Sequence, residues 1–173
     1  MPDLHISWPE YREKIEELAV LVYQSGWEFD QILCLARGGL RVGDLLSRIY
    51  EKPLAILAIS SYGGSGDRLR GSLKIASHLT AIGDSLGRRV LLVDDLVDSG
   101  VSLEQTLGWL KQHYSADIQE IRTGVLWYKA CSKFKPDYYI DYLPDNPWIN
   151  QPFEIYDQLK IEELSKKHSA VRV

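Results

Sequence analysis

The feature that most constrains the fold is an apolar run, Val90–Val93, which stops abruptly at two adjacent carboxylates. Such a run is typical of a strand that is buried on both faces of a parallel sheet. Asp94 and Asp95 end the run, and a loop of small residues, Asp98–Ser102, leads into the helical pattern of LEQTLGWLKQHY. A strand, an acidic turn, a small-residue loop and the start of a helix therefore follow one another without a break.

This layout predicts a phosphate site. A loop of small residues that opens a helix presents unpaired backbone N–H groups at the positive end of the helix dipole. Ser99 and Ser102 add hydroxyl donors, and Gly100 lets the backbone approach a ligand closely. Carboxylates alone would repel a phosphate, so their presence indicates a ligand that also carries sugar hydroxyls and a magnesium ion. Adjacent residues at a strand end point to opposite sides, so Asp94 and Asp95 are expected to have different roles.

An ordinary strand-to-helix turn with surface acids is the plain alternative, but it does not explain three carboxylates at this spacing. The segment VLLVDDLVDSGVS instead resembles the phosphoribosyl-pyrophosphate (PRPP) motif of the type I phosphoribosyltransferases. In that motif four apolar residues, two acids and two apolar residues precede an acid and a small-residue loop. Val101 stands where many members of the family carry glycine, although other branches have larger residues there.

The resemblance implies a role for each residue of the motif. Asp94 and Asp95 would hold the ribose hydroxyls of PRPP, and Asp95 would also be the partner of a Mg²⁺ ion. Asp98 would be the catalytic residue that assists proton transfer at N7 of a purine. The loop that binds the 5′-phosphate would consist of Asp98, Ser99, Gly100, Val101 and Ser102.

A second strand-to-helix turn, LARGGL, contains Arg37, Gly38 and Gly39. It exposes backbone donors beside a guanidinium, although an Arg-Gly-Gly corner alone is more often a plain strand exit than an anion site. The turn is similar to the loop of the xanthine-guanine phosphoribosyltransferases that binds the pyrophosphate of PRPP. The resemblance implies that Arg37 and Gly38 contact pyrophosphate, in a loop where the family often holds a strained peptide bond.

The most glycine-rich stretch of the chain is Ser61–Ser72, SYGGSGDRLRGS. Taken alone, it predicts a hairpin tip. The family carries a mobile loop at this position, and closure of such a loop excludes water from the reacting centre. Ser61 and Tyr62 match the start of that loop. The resemblance implies that Arg68 binds pyrophosphate, with Arg70 as the competing candidate.

Two further segments resemble the purine-binding parts of the 6-oxopurine phosphoribosyltransferases. WYKACSKFKPDYY is similar to a segment in which a lysine directly after a strand donates to purine O6, which implies this role for Lys129. PDNPWINQPFE is similar to a segment of the xanthine-guanine enzymes. It implies that Trp148 stacks on the purine and that the Ile149 carbonyl accepts from a purine amino group. The plain alternatives are a solvated lysine and a tryptophan that covers the edge of the domain.

Strand and helix patterns alternate along the chain, which predicts an α/β fold with a central, mostly parallel sheet flanked by helices. At 173 residues the chain has the length of a single domain, 1–173. The resemblance adds a small hood, contributed mainly by residues 136–157, and a flexible loop over the active site. The clearest local predictions are a capping box at Ser7–Glu10, strands at Phe29–Ala36, Ile118–Tyr128 and Tyr138–Asp141, and a helix over Leu40–Tyr50.

Charge and cysteine content exclude several classes of function. The net charge of −4 leaves no general basic face, so nucleic-acid binding is not expected. Cys34 and Cys131 are far apart in the sequence, and we expect reduced thiols rather than a disulfide framework. The four histidines show no zinc-ligand spacing. No apolar run approaches membrane-spanning length and no signal core is present, so we expect a cytoplasmic protein without a membrane partner.

The sequence thus predicts a purine phosphoribosyltransferase that combines PRPP with a 6-oxopurine and releases the nucleoside 5′-monophosphate and pyrophosphate. The resemblance implies Mg²⁺ as cofactor and a homo-oligomer, either a dimer or a tetramer. Two alternatives stay open. One is an enzyme of the same fold that acts on another base, such as adenine or a pyrimidine, and the other is a regulatory protein that senses nucleotides without turnover. The sequence does not discriminate among hypoxanthine, guanine and xanthine.

Overall fold

The computed structural model describes residues 3–61, 73–83 and 85–169. Arg68, Arg70 and most of the glycine-rich stretch lie outside these ranges. The elements within them are, in chain order, β1 (Leu4–His5), α1 (Trp8–Gln24), β2 (Gln31–Ala36), α2 (Leu40–Tyr50), β3 (Leu54–Ser61), β4 (Leu73–Ile75), β5 (Arg89–Val93), β6 (Leu96–Val97), α3 (Val101–His113), β7 (Glu120–Lys129), β8 (Tyr138–Leu143), β9 (Ile149–Asn150), α4 (Ile155–Gln158) and α5 (Ile161–Lys167).

The chain divides into two compact units. Lys14–Asn146 forms the larger one, here called the sheet unit. The other, here called the terminal unit, combines Met1–Glu13 with Pro147–Val173. A single domain 1–173 with a hood from residues 136–157 stays a prediction.

Within the terminal unit, β1 and β9 pair in parallel, and Leu4 N donates to Trp148 O at 2.8 Å. The capping box predicted for the start of α1 is confirmed. Ser7 N donates to Glu10 Oε2 at 2.7 Å, and Glu10 N donates back to Ser7 Oγ at 3.4 Å. This exchange satisfies backbone donors that have no partner inside the helix. The sequence pattern did not predict β1 or β9, because a two-residue strand shows no periodicity.

A seven-stranded sheet forms the centre of the sheet unit, in the order β4-β3-β2-β5-β7-β6, with β8 on the other edge of β7. The strand pairs are parallel except for β3 with β4, which is antiparallel. The predicted mostly parallel sheet is therefore confirmed. The carboxyl ends of its parallel strands meet at one edge, which is the edge where α/β proteins bind their ligands.

Helices cover both faces of this sheet. Leu33 and Leu35 of β2 pack in one cluster with Leu103 and Leu110 of α3. Gly43 of α2 lies against Cys34 on the alternate face of β2. Because both faces are covered, the central strands read as continuous apolar runs rather than alternating ones.

The sheet is interrupted between β5 and β6 without a change in register. Val93 pairs with Gly124 and Leu96 pairs with Trp127, so two residues lie between the pairs on each strand. Asp94 N donates to Gly124 O at 3.2 Å, and Asp95 O accepts from Trp127 N at 3.2 Å. The two acids are therefore held by β7 at the point where the ladder is broken.

The first residues of β2 and β7 differ from the predicted ones, because the residues predicted to begin these strands make other contacts. Phe29 lies before β2, and its ring is 5.6 Å from that of Trp27 and 5.0 Å from that of Tyr50, measured between centroids. Its burial therefore comes from aromatic packing rather than from a strand. Ile118 precedes β7 because its N–H donates to Tyr114 O at 3.0 Å and closes a turn after α3.

Gly43 provides a test of the close contact between α2 and β2. A Cβ atom at this position would lie 2.6 Å from Cys34 Cβ and 3.0 Å from Leu54 Cδ1. Gly43→Ala should therefore lower the free energy of unfolding by about 1–3 kcal/mol, measured by urea denaturation, despite the better helix propensity of alanine.

Gly108 of α3 is the matched control, since nothing lies within 4 Å of the position of its Cβ. Gly108→Ala should raise the free energy of unfolding by about 0.5–1 kcal/mol. A stabilising effect at both positions would show that α2 has room to move away from β2.

Candidate active site

Two turns that the sequence analysis treated separately are in contact at the carboxyl edge of the sheet. β2 and β5 are parallel neighbours, so the turn after Ala36 and the turn after Val93 emerge side by side. A Cβ atom at Gly38 would clash with Asp95 Oδ1, and one at Gly39 would lie 2.6 Å from Val93 O. Only glycine lets the two turns approach this closely. The peptide bond between Ala36 and Arg37 is cis.

Asp94 and Asp95 occupy different electrostatic environments. Burial of the Asp94 carboxyl, together with the negative charge of Asp95, raises the pKa of Asp94 well above its usual value. Asp94 Oδ1 accepts from Asp95 N at 3.0 Å. Asp95 is buried, and its carboxylate lies against Gly38 in the turn predicted to bind pyrophosphate. The Asp94 carboxyl is therefore hydrogen-bonded to the backbone of Asp95, whereas the Asp95 carboxylate faces the Gly38 turn.

Asp98 and Lys129, which are predicted to contact N7 and O6 of the purine, form an ion pair. Lys129 Nζ lies 3.5 Å from Asp98 Oδ2, with the lysine side chain 6% exposed and the aspartate side chain 58% exposed. A buried ammonium group needs a compensating charge. The plain interpretation of Lys129 as a solvated surface lysine is wrong, because the residue is buried at the end of β7.

Cys131 is a neighbour of this pair that sequence reasoning did not assign. Its Sγ donates to Asp98 Oδ1 at 3.4 Å. Partial burial, and next the hydrogen bond to the Asp98 carboxylate, raise the pKa of Cys131, which favours the neutral thiol that can donate. Its position two residues after Lys129 was the only signal in the sequence.

The predicted phosphate loop is shaped by a contact with the segment between β7 and β8. Gly100 has a φ of +83° at the start of α3, and a Cβ there would lie 2.5 Å from Phe134 Cβ and 2.6 Å from Ser132 Oγ. Lys133 N donates to Ser99 O at 3.2 Å. Both the backbone conformation and the lack of space require glycine at this position.

The other predicted loop residues stand at the first turn of α3. Val101 is 41% exposed, so its larger side chain is accommodated where relatives often carry glycine. Ser102 follows it in the same turn. Their backbone N–H groups belong to the helix end at which an anion is favoured.

Trp148 and Ile149, predicted to contact the purine, are adjacent in the terminal unit. Trp148 is 62% exposed, whereas Ile149 is buried and pairs with Leu4 in the small parallel sheet. The strand pairing fixes the backbone at Ile149, whereas the indole of Trp148 is largely exposed.

The carboxylates at the edge of the sheet fit a magnesium ion of the kind that arrives with a phosphorylated substrate. In residues 3–61, 73–83 and 85–169 no group of three or more His, Cys, Asp or Glu side chains could hold a metal alone. Mg²⁺ is usually bound by one or two carboxylates together with substrate phosphates and water. Asp94 and Asp95 beside the Gly38 turn provide such a partial set.

This arrangement, a parallel sheet with two contacting turns and a small-residue loop at its carboxyl edge, has a known counterpart. The chain belongs to the phosphoribosyl transferase domain family, whose model matches residues 7–158. The predicted resemblance to the type I phosphoribosyltransferases, which are glycosyltransferases, is confirmed.

Individual relatives agree with this assignment. A hypoxanthine/guanine phosphoribosyltransferase from Methanopyrus kandleri is 29% identical over 118 residues, which cover 63% of this chain and 60% of that protein. This chain thus spans less than two thirds of that relative. A xanthine-guanine phosphoribosyltransferase from Gluconobacter oxydans is 26% identical over 86% of this chain and 83% of that protein. The structure of a Helicobacter pylori xanthine-guanine-hypoxanthine phosphoribosyltransferase superposes with a TM-score of 0.74 and 28% identity, covering 96% of this chain and 100% of that chain.

No helix in the described ranges combines the length and the apolar character that crossing a membrane requires.

The raised pKa of Asp94 predicts a pH-dependent cost to folding. The carboxylate form is disfavoured in the folded state, so the cost is fully present above the folded pKa and absent below the ordinary value of 3.8. Asp94→Asn should therefore raise the free energy of unfolding at pH 8, by roughly 1.4 kcal/mol for each unit of pKa shift. The gain should shrink as the pH falls toward 4, which urea denaturation across this range would measure.

The exposed Asp145 supplies the control. If Asp145→Asn gave the same pH-dependent gain, the effect would not come from the environment of Asp94.

Proposed function

We propose that the protein transfers the 5-phosphoribosyl group from PRPP to a 6-oxopurine, namely hypoxanthine, guanine or xanthine, in purine salvage. The products would be the nucleoside 5′-monophosphate and pyrophosphate. The observation that carries the proposal is the ion pair between buried Lys129 and Asp98 of the PRPP motif, 3.5 Å apart. It joins the predicted group for purine O6 to the predicted group for purine N7. The names of the Methanopyrus, Gluconobacter and Helicobacter relatives support the same substrate class.

The chemistry of Lys129 favours a 6-oxopurine over adenine. An ammonium group donates hydrogen bonds and accepts none, so it matches a carbonyl oxygen at C6. The amino group of adenine at that position would face the ammonium with another donor. In a buried site an unmatched donor is costly, which makes the discrimination strong.

The reaction breaks the bond between C1′ of the ribose and the pyrophosphate oxygen. Positive charge develops on the ribose and negative charge on the leaving pyrophosphate, as in glycoside chemistry. In this proposal the Arg37 guanidinium and the Gly38 N–H stabilise the leaving group. Arg68 is proposed for the same role, with Arg70 as its alternative. Preorganised donors of this kind are the largest contribution in many active sites.

The ribose phosphate end of PRPP would be held by two sets of groups. Asp94 and Asp95 accept from the ribose hydroxyls, and the turn containing Gly38 sets the position of the Asp95 carboxylate. The 5′-phosphate binds the first turn of α3, where Ser99 and Ser102 add hydroxyl donors and Gly100 opens the helix. Fixing both ends of the sugar aligns C1′ with the attacking nitrogen of the base.

Mg²⁺ bound by Asp95 and the substrate phosphates would neutralise charge on pyrophosphate. The protein's own acid–base group is Asp98, whose carboxylate accepts the proton at purine N7 as the base attacks. Lys129 Nζ and the Cys131 thiol lie on its two oxygens and orient it toward the base. Trp148 stacks on the purine, and the Ile149 carbonyl accepts from a purine amino group.

The test of this proposal is a Mg²⁺-dependent assay with PRPP and a panel of bases, in which pyrophosphate release is followed. Turnover is expected with at least one of hypoxanthine, guanine and xanthine, and not with adenine, uracil or orotate. Turnover with adenine or a pyrimidine instead would reject the assigned role of Lys129. Binding of PRPP without turnover of any base would indicate a nucleotide sensor.

A cytoplasmic location and a homo-oligomer stay predictions, to be checked by fractionation and light scattering.

Asp98→Asn keeps the size of the side chain while removing both the proton acceptor and the charge that compensates Lys129. It should lower kcat by about 10²–10⁴-fold, the usual contribution of general acid–base catalysis, with little change in PRPP affinity. Steady-state kinetics and calorimetry with PRPP separate the two effects. An unchanged kcat would remove Asp98 from the mechanism.

Trp148→Ala is the matched variant, in which we expect weaker purine binding rather than a slower chemical step. Loss of stacking should weaken purine binding by about 5- to 150-fold, corresponding to about 1–3 kcal/mol, and leave PRPP binding unchanged. An equal loss of both affinities would mean that Trp148 stabilises the terminal unit rather than the purine.

A further inference from the structure

A cavity of about 600 Å³ lies at the amino edge of the large sheet, opposite the candidate active site. It is here called the basal pocket. Its lining includes Asp30 directly before β2 and Arg88 directly before β5, together with Lys52 from the connection between α2 and β3. All of these residues belong to the sheet unit. The volume is within the usual range of small-molecule sites, about 300–1,000 Å³.

One wall of the basal pocket is aromatic and is held in place by its own contacts. The Trp27 ring stacks on Phe29 at 5.6 Å, and the Phe29 ring meets Tyr50 edge-on at 5.0 Å. Tyr50 Oη donates to Ala19 O at 2.5 Å, which ties this ring to α1. Tyr23, which also lines the pocket, is 77% exposed. The rings of Trp27, Phe29 and Tyr50 are therefore held by their own contacts, and the exposed ring of Tyr23 is accessible to a ligand.

Two of the lining cations make no close side-chain contact with an acid among the described residues. The charge of Lys52 nevertheless contributes to the lowered pKa of Asp30. In the ranges 3–61, 73–83 and 85–169, no hydrogen bond or ion pair within 4 Å is made by the side chains of Arg88 and Lys52. Arg89 differs, because its Nε lies 3.8 Å from Glu120 Oε2. The pocket therefore contains two cationic groups that a ligand could engage.

Asp30, one of the two acids that line the pocket, accepts hydrogen bonds from the backbone. Asp30 Oδ2 accepts from Arg88 N at 2.8 Å and from Arg89 N at 2.9 Å. The hydrogen bond from Arg89 N–H is the main cause that lowers the pKa of Asp30, so the carboxylate is charged at neutral pH. Asp30 thus fixes the turn that presents the two arginines. Glu28 is exposed, and the lining as a whole carries three cations against two acids.

We propose that the basal pocket is a second binding site, separate from the active site, for an anion that carries an aromatic ring, such as a nucleoside phosphate. The phosphate would engage Arg88 and Lys52, and the ring would stack on the wall formed by Tyr23 and Tyr50. A cationic ligand would be repelled by the three lining cations, and a neutral one would leave Arg88 and Lys52 without a close hydrogen-bond partner. Charge-assisted hydrogen bonds to phosphate and ring stacking are the two interactions that this lining can supply.

The test is calorimetric titration with ATP in the presence of saturating PRPP and Mg²⁺, so that the active site is occupied. ATP should bind, and Arg88→Ala and Lys52→Ala should each weaken its binding by about 10- to 100-fold, the usual value of a charged hydrogen bond. Lys111→Ala removes an exposed cation elsewhere in the sheet unit and should leave ATP binding unchanged. Unaltered thermal unfolding of each variant would show that the fold is retained.

A second titration, with tripolyphosphate, separates the ring from the charge. ATP should bind more tightly than tripolyphosphate, and Tyr23→Ala should remove this preference. Equal binding of the two probes would overturn the aromatic part of the proposal. No ATP binding with PRPP bound, or ATP binding that Arg88→Ala and Lys52→Ala leave unchanged, would overturn the site itself. The proposal does not depend on turnover, so failure of the purine assay would leave this binding result interpretable.

Discussion

The candidate active site depends on the contact between the Gly38–Gly39 turn and the two acids after β5. A side chain at either glycine would meet the Asp95 carboxylate or the Val93 carbonyl. The parallel pairing of β2 with β5 brings the turns to the same edge, and the absence of two Cβ atoms lets them touch. The position of Asp95, and with it the proposed metal and ribose contacts, follows from this packing. The proposed function therefore depends on two positions, Gly38 and Gly39, at which the packing leaves room only for glycine.

The ion pair between Asp98 and Lys129 also depends on the packing of the sheet, because β7 ends at the buried lysine. Lys129 is buried at the end of β7, and its ammonium group is compensated by a carboxylate that is itself more than half exposed. In the proposed mechanism a purine would therefore meet a polar pair that is already oriented, with the Cys131 thiol on the second carboxylate oxygen. Orientation before binding reduces the reorganisation that the reaction needs. Only the lysine of this ion pair is buried, and we interpret the pair as orientation for the proposed ligand rather than as a source of stability.

Sequence patterns predicted the sheet because its central strands are continuous apolar runs. They predicted the loop at the start of α3 because Gly100 and its neighbours form a compact local motif, and its binding of phosphate stays a prediction. Contacts between distant segments had no such signal. The closure of Phe134 and Ser132 over Gly100, and the approach of Cys131 to Asp98, arise from the path of the chain between β7 and β8. The basal pocket also escaped prediction, because its residues come from several helix ends, strand starts and connections that only the folded sheet places together. Local chemistry was therefore visible in the sequence, whereas tertiary neighbours were not.

The continuous register of β7 has a consequence for how this motif can change over evolutionary time. Val93 and Leu96 pair with residues of β7 that are equally spaced, so the two acids between them fill a gap of fixed length. One residue more or fewer would reverse the faces of Leu96 and Val97 and expose Val97, which is now buried. We therefore expect related sequences to differ here by substitution and not by insertion or deletion. A change in length would expose a core residue even where the ligand site could accommodate it. The pairing with β7 therefore constrains the spacing of the two acids as much as the proposed ligand does.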